Sequence, residues 1–217
     1  MTPPAPDCRP TIIIIDDDES IREAIGDLLD SVDLESRGFA TIQDFQRDTR
    51  PVHLGCMVID VRLPGRSGID FYEQYARTPE AMPVIFISAH ADVSTSVRAM
   101  KAGAIEFLTK PVRHQELIET VQGAIAMDFE RRRAQAEVQH LKAAFEILTL
   151  QERRVARLAV AGQLNKQIAA EVGISEQTVK HHRSSVMRKM GARTLIDLLR
   201  MLDRISPADS PPDRSLS

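Results

Sequence analysis

At 217 residues the chain is longer than one typical domain and reads most simply as two, each large enough to bury its own core. Its formal charge of −3 is unevenly spread: Ile147 to Ile205 hold eleven Lys or Arg against five Asp or Glu, a net of +6 that leaves −9 on the remainder, so the acidic front and basic back suit different partners, nucleic acid being one candidate for the back. The two cysteines, Cys8 and Cys56, imply no disulfide framework and fit a reducing cytosol, and neither an apolar run of about 18 residues nor a signal-peptide pattern is present.

In chain order, the first apolar run is Ile12 to Ile15, which ends directly in Asp16, Asp17 and Asp18. Ile21, Ala24, Ile25, Leu28 and Leu29 then follow a helical spacing. A weaker strand is expected near Leu34 to Arg37, and further apolar runs at Cys56 to Ile59 and Val84 to Ile87, which lead into Asp60 and Ser88. Continuous apolar runs of this length suit strands buried on both faces of a parallel sheet. A helix from about Asp92 to Ala102 is expected to bury Val93, Val97 and Met100, and "AIEFLTKP" reads as a last strand closed by Pro111. The alternation predicts an α/β doubly wound, five-stranded parallel sheet whose five βα units end near Ala126.

From Met127 the positions Met127, Arg131, Ala134, Val138, Leu141, Phe145 and Leu148 are spaced alternately by four and three. This is a heptad seam interrupted by Arg131, and it predicts either a solvated connecting helix or one that pairs with its copy in a coiled coil. Thr149 and Glu152 form a capping box that opens a helix with Val155, Leu158 and Ala159 inside. Gly162 ends it, "NKQIAAEV" gives a second helix, and "GIS" turns into a third from about Glu176 to Met190, the helix-turn-helix pattern. Val179, Val186 and Met190 make the third helix's buried stripe, while Lys180, His181, Arg183, Ser184, Arg188 and Lys189 fall largely off it, where they can meet a groove and its phosphates. His182, with no nearby Cys, makes a poor zinc site. The tail 206–217 has a disordered composition.

The acids pose the sharpest question. At about 4 Å and an effective dielectric of about 20, two carboxylates repel by roughly 4 kcal/mol. In an open parallel sheet, chemistry gathers at the carboxyl ends of the strands. If the first and third strands are neighbours, Asp16 and Asp17 meet Asp60, and a hard divalent cation such as Mg2+ would relieve the repulsion. Lys110 would add a fixed positive charge there and Ser88 a hydroxyl. Any one of these alone is an ordinary turn residue; the weight lies in four strand ends with complementary chemistry.

The series "IIIIDDDESIR", "VIDVRLPGRSG", "VIFISAHAD" and "AMKAGAIEFLTKP" resembles the receiver domain of two-component response regulators. "LTLQERRV", "GQLNKQIAAEVGISEQTVKHHRSSVMRKM" resembles the LuxR-type DNA-binding domain, and together they resemble the FixJ and NarL subgroup. The resemblance implies a receiver over 9–127, a helical linker and possible coiled coil over 128–147, a helix-turn-helix domain over 148–205 and a disordered tail over 206–217. It implies that Asp60 is the phosphoacceptor, that Asp16, Asp17, Asp60 and the backbone carbonyl of Arg62 hold Mg2+, and that Lys110 contacts the acyl phosphate beside a cis bond to Pro111. Ser88 and Phe107 would be the switch residues, Phe107 standing where many members have Tyr. Arg62 and His90 occupy positions that tune the phosphoryl lifetime. Lys180, His181 and Ser184 would read base edges, Arg183 and Lys189 would contact phosphate, and Thr178 with the helix's first amides would anchor another phosphate. A final helix from about Thr194 to Leu202, exposing Leu198, Leu199 and Leu202, resembles the family's dimerisation element.

The implied protein is a cytoplasmic transcription factor that a sensor histidine kinase phosphorylates, that dimerises on phosphorylation and that binds promoter DNA, with RNA polymerase as a further partner and no membrane association. Two rivals differ in class. An aspartate-based phosphohydrolase would place a second Asp two residues after its nucleophile, where this chain has Arg62. A constitutive DNA-binding regulator would use the receiver only as a dimerisation scaffold, which leaves the full acidic set without a purpose.

Overall fold

The computed structural model describes residues 9–52, 54–90 and 92–205; Cys8 and the tail expected to be disordered at 206–217 lie outside them. The chain divides into two compact units between Arg132 and Arg133.

The first unit runs β1 (Thr11–Ile15), α1 (Glu19–Asp30), β2 (Glu35–Phe39), α2 (Ile42–Arg47) and β3 (Gly55–Asp60), then a short hairpin of β4 (Arg62–Leu63) and β5 (Arg66–Ser67). It continues with α3 (Gly68–Tyr75), β6 (Val84–Ser88), α4 (Val93–Lys101), β7 (Glu106–Thr109) and α5 (His114–Glu146), whose last residues belong to the second unit. The large sheet is five-stranded and all parallel, in the order β2-β1-β3-β6-β7. β1 and β3 are therefore neighbours, with Ile15 opposite Ile59.

Both faces of this sheet are covered, which explains the unbroken isoleucine run. Ile13, Ile15, Met57, Ile59 and Phe86 pack on one side with Ile42 of α2, Ile69, Phe71 and Tyr72 of α3, and Ala99 of α4. Ile12, Ile14, Cys56, Val58, Ile85 and Ile87 pack on the other with Ile25 and Leu29 of α1 and Leu117, Val121 and Ala124 of α5. Successive strand side chains point to opposite faces, so a strand covered on both sides must be apolar throughout. Each of the four isoleucines is at most 1 % exposed, and burying each contributes about 1.5–3 kcal/mol. β2 sits at the sheet edge and is buried only at Phe39, so its sequence carries a weak signal; it runs from Glu35 to Phe39 rather than from Leu34 to Arg37. On α1, Ala24 of the expected stripe is exposed.

The expected buried stripe of α4 is corrected here. In α4 the buried residue is Ala99, whereas Val93, Val97 and Met100 are 80 %, 46 % and 47 % exposed. A small residue lets α4 lie close to the sheet, and Arg98 ties the helix to Asp70 and Glu73 of α3, turning the larger apolar stripe outward. α5 is continuous for 33 residues and includes most of the expected helical linker. Asp128 is fully buried, its carboxylate accepting hydrogen bonds from the N–H of Gly55 at 3.0 Å, from Arg131 Nη2 at 2.6 Å and from Arg132 Nε at 2.7 Å. A Cβ on Gly55 would lie 1.9 Å from the carbonyl oxygen of Thr11, so only glycine lets β3 start beside β1 at this point. The first turn of the expected linker is thus part of the first unit.

The second unit holds the end of α5 and α6 (Leu150–Val160), α7 (Asn165–Val172), α8 (Glu176–Met190) and α9 (Leu195–Ile205). The capping box at Thr149 and Glu152 is formed in both directions. Gly173, at φ +75°, supplies the left-handed residue that ends α7 and turns the chain toward α8. Of the heptad positions, Leu141 and Leu148 are buried and Phe145 half-buried, Leu148 and Phe145 against α6, α8 and α9, while Met127 and Ala134 are exposed. The apolar spacing at the end of α5 is therefore satisfied within one chain. Arg204 of α9 makes two hydrogen bonds to the Glu137 carboxylate, at 2.6 and 2.9 Å. Leu198, expected on the outer surface of the last helix, is 2 % exposed and packs on Ala156, Val186 and Met190; Ile196 and Leu199 are the exposed apolar residues there, at 62 % and 39 %, and Leu202 is half-buried. The helix is apolar on more than one side, so spacing alone does not say which stripe faces in.

Candidate functional site

The C-terminal ends of β1, β3, β6 and β7 bring Asp16, Asp60, Ser88 and Lys110 together. Asp16 and Asp60 follow fully buried isoleucines and are themselves buried, whereas Asp17 is exposed. One carboxylate oxygen from each of Asp16, Asp17 and Asp60 lies within 4.8 Å of the others, the one such metal-capable cluster among the described residues. Asp18 leaves the cluster to cap α1, its Oδ1 accepting from the N–H of Ser20 at 2.9 Å.

Lys110 Nζ donates to Asp16 Oδ2 at 2.7 Å and also to Asp60 Oδ2, so the ammonium bridges the two buried acids. The Lys110–Pro111 peptide is cis, and the N–H of Lys110 donates to the carbonyl of Ser88 at 2.8 Å, registering the end of β7 on that of β6. Burial pulls the Lys110 pKa down, but the hydrogen bonds to Asp16 and Asp60 outweigh it and leave the amine above its ordinary value. Burial raises the carboxyl of Asp16 despite Lys110 and the N–H of Asp18.

The N–H of Arg62 donates to Asp60 Oδ1 at 2.8 Å, fixing the plane of that carboxylate, and Arg62 is itself held opposite Ser67 in the hairpin. The Ser88 hydroxyl donates to the carbonyl of His90 at 3.1 Å and accepts from its N–H at 3.2 Å, which ties it to the loop before α4. Phe107 is half-buried on β7, packed against the core that contains Phe86. The donor set fits Mg2+: hard carboxylate oxygens, one of them solvent-facing, leave room for the waters such an ion retains. Two contributors escaped the sequence reading. Gly68 brings α3 against the carbonyl of Asp60, and Arg22 Nη1 donates to the carbonyl of Asp16 at 2.7 Å. Both act on backbone atoms, and such contacts leave no mark in composition.

In the second unit, Val179, Val186 and Met190 of α8 are buried as their spacing required, and Ser185 joins them. Lys180, His181 and Ser184 are exposed and lie on one side of the helix, together with Gln177 and Arg188. Thr178 is held near the start of α8, its N–H donating to Ser175 Oγ at 3.1 Å and the two hydroxyl oxygens 2.8 Å apart. Arg183 and Lys189 are differently placed from the other basic residues. Arg183 Nη1 donates to Asn165 Oδ1 at 2.7 Å, and Lys189 Nζ donates to Glu152 Oε2 at 2.7 Å. Glu152 is 4 % exposed and also accepts from Ser185 Oγ at 2.6 Å and the N–H of Thr149 at 2.8 Å. The capping glutamate thus doubles as the bolt between α6 and α8.

Comparison with known proteins agrees with both halves. Residues 12–122 match the response regulator receiver domain, and residues 146–202 match the luxR family of bacterial regulatory proteins. Nodulation protein W of Bradyrhizobium diazoefficiens is 44 % identical over 194 residues, covering 89 % of this chain and 86 % of that protein. Among solved structures, the response regulator StyR aligns with a TM-score of 0.81 at 41 % identity, over 90 % of this chain and 99 % of that one. Full-length FixJ from B. japonicum aligns with a TM-score of 0.54 at 34 % identity, over 91 % and 98 %. Receiver domains bind Mg2+ through acidic side chains, and regulators that join one to a helix-turn-helix work with a sensor kinase and DNA. With an acid-lined sheet end in one unit, a helix-turn-helix in the other and both families matched in that order, the chain belongs to the FixJ/NarL-type response regulators, two-component transcriptional regulators whose receiver accepts a phosphoryl group and which are not enzymes.

Proposed function

We propose that Asp60 accepts a phosphoryl group from a sensor histidine kinase in a Mg2+-dependent reaction, and that the acyl phosphate promotes dimerisation and sequence-specific binding of promoter DNA. The observation that carries this reading is the cluster of Asp16, Asp17 and Asp60 at one sheet end with Lys110 in contact with Asp60. An oxygen of Asp60 attacks phosphorus as the bond to the donor's imidazole nitrogen breaks, and the imidazole leaves with its electron pair. Phosphoryl transfer asks a protein mainly for alignment and charge neutralisation. The N–H of Arg62 supplies alignment and Lys110 supplies charge. Mg2+ held by Asp16, Asp17, Asp60 and the carbonyl of Arg62 would supply the remaining neutralisation at the phosphoryl oxygens.

The switch begins at Ser88. When its hydroxyl turns to the phosphoryl oxygen it releases the backbone of His90, and Phe107 repacks beside it. The loop into α4 is then freed, and α4 carries the exposed stripe of Val93, Val97 and Met100. That stripe suits a dimer contact. Moving a population from about 1:99 to 99:1 takes roughly 5.5 kcal/mol, whereas one hydrogen bond nets about 0.5–1.5, so dimer contacts share the work. Each protomer then presents Lys180, His181 and Ser184 to base edges, and Thr178, with the first amides of α8, to a phosphate. Arg183 and Lys189 lie beside the backbone while tied to Asn165 and Glu152. Ile196, Leu199 and Leu202 of α9 extend the dimer contact, and two linked heads gain affinity through effective concentration. The setting is the cytoplasm, with RNA polymerase as the downstream partner.

The test is sedimentation and DNA binding, at fixed salt, to fragments selected from genomic DNA, with and without acetyl phosphate and Mg2+. Wild type should become dimeric and gain affinity; Asp60→Asn should do neither. Equal affinity with and without the phosphodonor would favour the constitutive reading instead.

A further inference from the structure

Asp16 and Asp17 are neighbours, and neighbouring residues of an extended strand point to opposite faces. For both carboxylates to serve one cation, the backbone leaving β1 must turn between them and stay turned. The structure shows what holds that turn. The N–H of Asp16 donates to the carbonyl of Phe39 at 3.1 Å, and Asp16 Oδ1 accepts from the N–H of Asp18 at 3.0 Å. The carbonyl of Asp16, which belongs to the peptide joining the two acids, accepts from Arg22 Nη1 at 2.7 Å. Arg22 lies in the first turn of α1, and its own N–H donates to the carbonyl of Asp18 at 3.1 Å. One residue therefore grips both ends of the acidic turn, by side chain at Asp16 and by backbone at Asp18.

We propose that Arg22 is a positioning residue for the cation site: its guanidinium fixes the Asp16–Asp17 peptide so that the two carboxylates converge on one divalent ion. The inference rests on the Mg2+ reading of the cluster. Arg22 does not act as a ligand, being cationic, and its charge by itself opposes a second cation nearby. Geometry and charge therefore predict opposite signs. If Arg22 matters through position, its removal weakens Mg2+ binding; if it matters only through charge, removal strengthens it.

The experiment is a Mg2+ titration of the full chain without phosphodonor, followed by NMR shifts or calorimetry, for wild type, Arg22→Ala and Arg22→Lys, with melting of each in chelator as a control for folding. Arg22→Ala should bind Mg2+ about tenfold more weakly, equivalent to about 1.4 kcal/mol, while melting in chelator changes little. Arg22→Lys, which keeps the charge but loses the planar fork, should also bind more weakly. Affinity for Mg2+ that is unchanged or higher in Arg22→Ala overturns the proposal. Should Arg22→Ala fail to fold, wild-type affinity in Arg22→Lys overturns it. Wild type that shows no Mg2+ response at Asp16, Asp17 or Asp60 removes the cation reading itself, and the proposal with it.

Discussion

One residue that constrains Asp60 has no side chain. A Cβ on Gly68 would lie 2.3 Å from the carbonyl oxygen of Asp60 and 2.7 Å from Ile59 Cγ2, and the N–H of Gly68 donates to the carbonyl of Val61 at 3.0 Å. Backbone cannot yield as a flexible side chain can, so Gly68→Ala must move the strand end that carries Asp60. Such overpacking costs about 1–3 kcal/mol of stability. Labelling of Asp60 by acetyl phosphate should slow by at least about tenfold, equivalent to about 1.4 kcal/mol of barrier, in protein whose circular dichroism is unchanged. An unchanged rate would mean that the α3 contact does not position Asp60. Asp16, Asp17, Asp60 and Lys110 stand out in the sequence because each closes an apolar run with a charge. Gly68 and Arg22 do not, because what they touch is backbone, and a backbone contact shows in no side-chain pattern.

At the scale of elements, the contact between α6 and α8 has a pH signature. Burial alone would raise the carboxyl of Glu152, but hydrogen bonds from Lys189, Ser185 and the N–H of Thr149 outweigh it and lower the value from 4.5 to about 2. The native form thus holds the proton less tightly than the unfolded chain. The stabilisation is fully present above 4.5 and is lost as pH falls toward about 2. Glu152→Gln should lower hydrogen-exchange protection of α6 and α8 by about 1–3 kcal/mol near neutral pH, with the gap to wild type closing through that acid window. A gap that kept its neutral size throughout would contradict the assignment. The capping box was legible because Thr149 and Glu152 are three residues apart; the bolt to Ser185 and Lys189 was not, since it joins segments more than 30 residues away. α4 and α9 illustrate another limit. Each offers more than one apolar stripe, and the choice of Ala99 over Val93 and Val97, or of Leu198 over Ile196, is made by how closely the neighbouring element approaches.

Across the whole molecule, the uneven charge foretold a division of labour, and the two families matched along the chain account for it. The order of α/β and all-α units was readable because strand runs and helix spacing differ in period. α5 runs through the division between the compact units without a break, and the buried Asp128, paired with Gly55, Arg131 and Arg132, belongs to the first of them. The heptad spacing that suggested a coiled coil is used at Leu141 and Leu148 inside the chain's own fold. On the proposed function, what joins the units is a single covalent event at the end of β3. The direct measurement is to treat the protein with acetyl phosphate, trap the acyl phosphate with borohydride and locate it by peptide mass. Reduction releases the phosphate, so one homoserine should be found, in place of Asp60, and chelation of Mg2+ should abolish it. Label on another residue, labelling that persists in chelator, or labelling of Asp60→Asn at the wild-type rate would contradict the account.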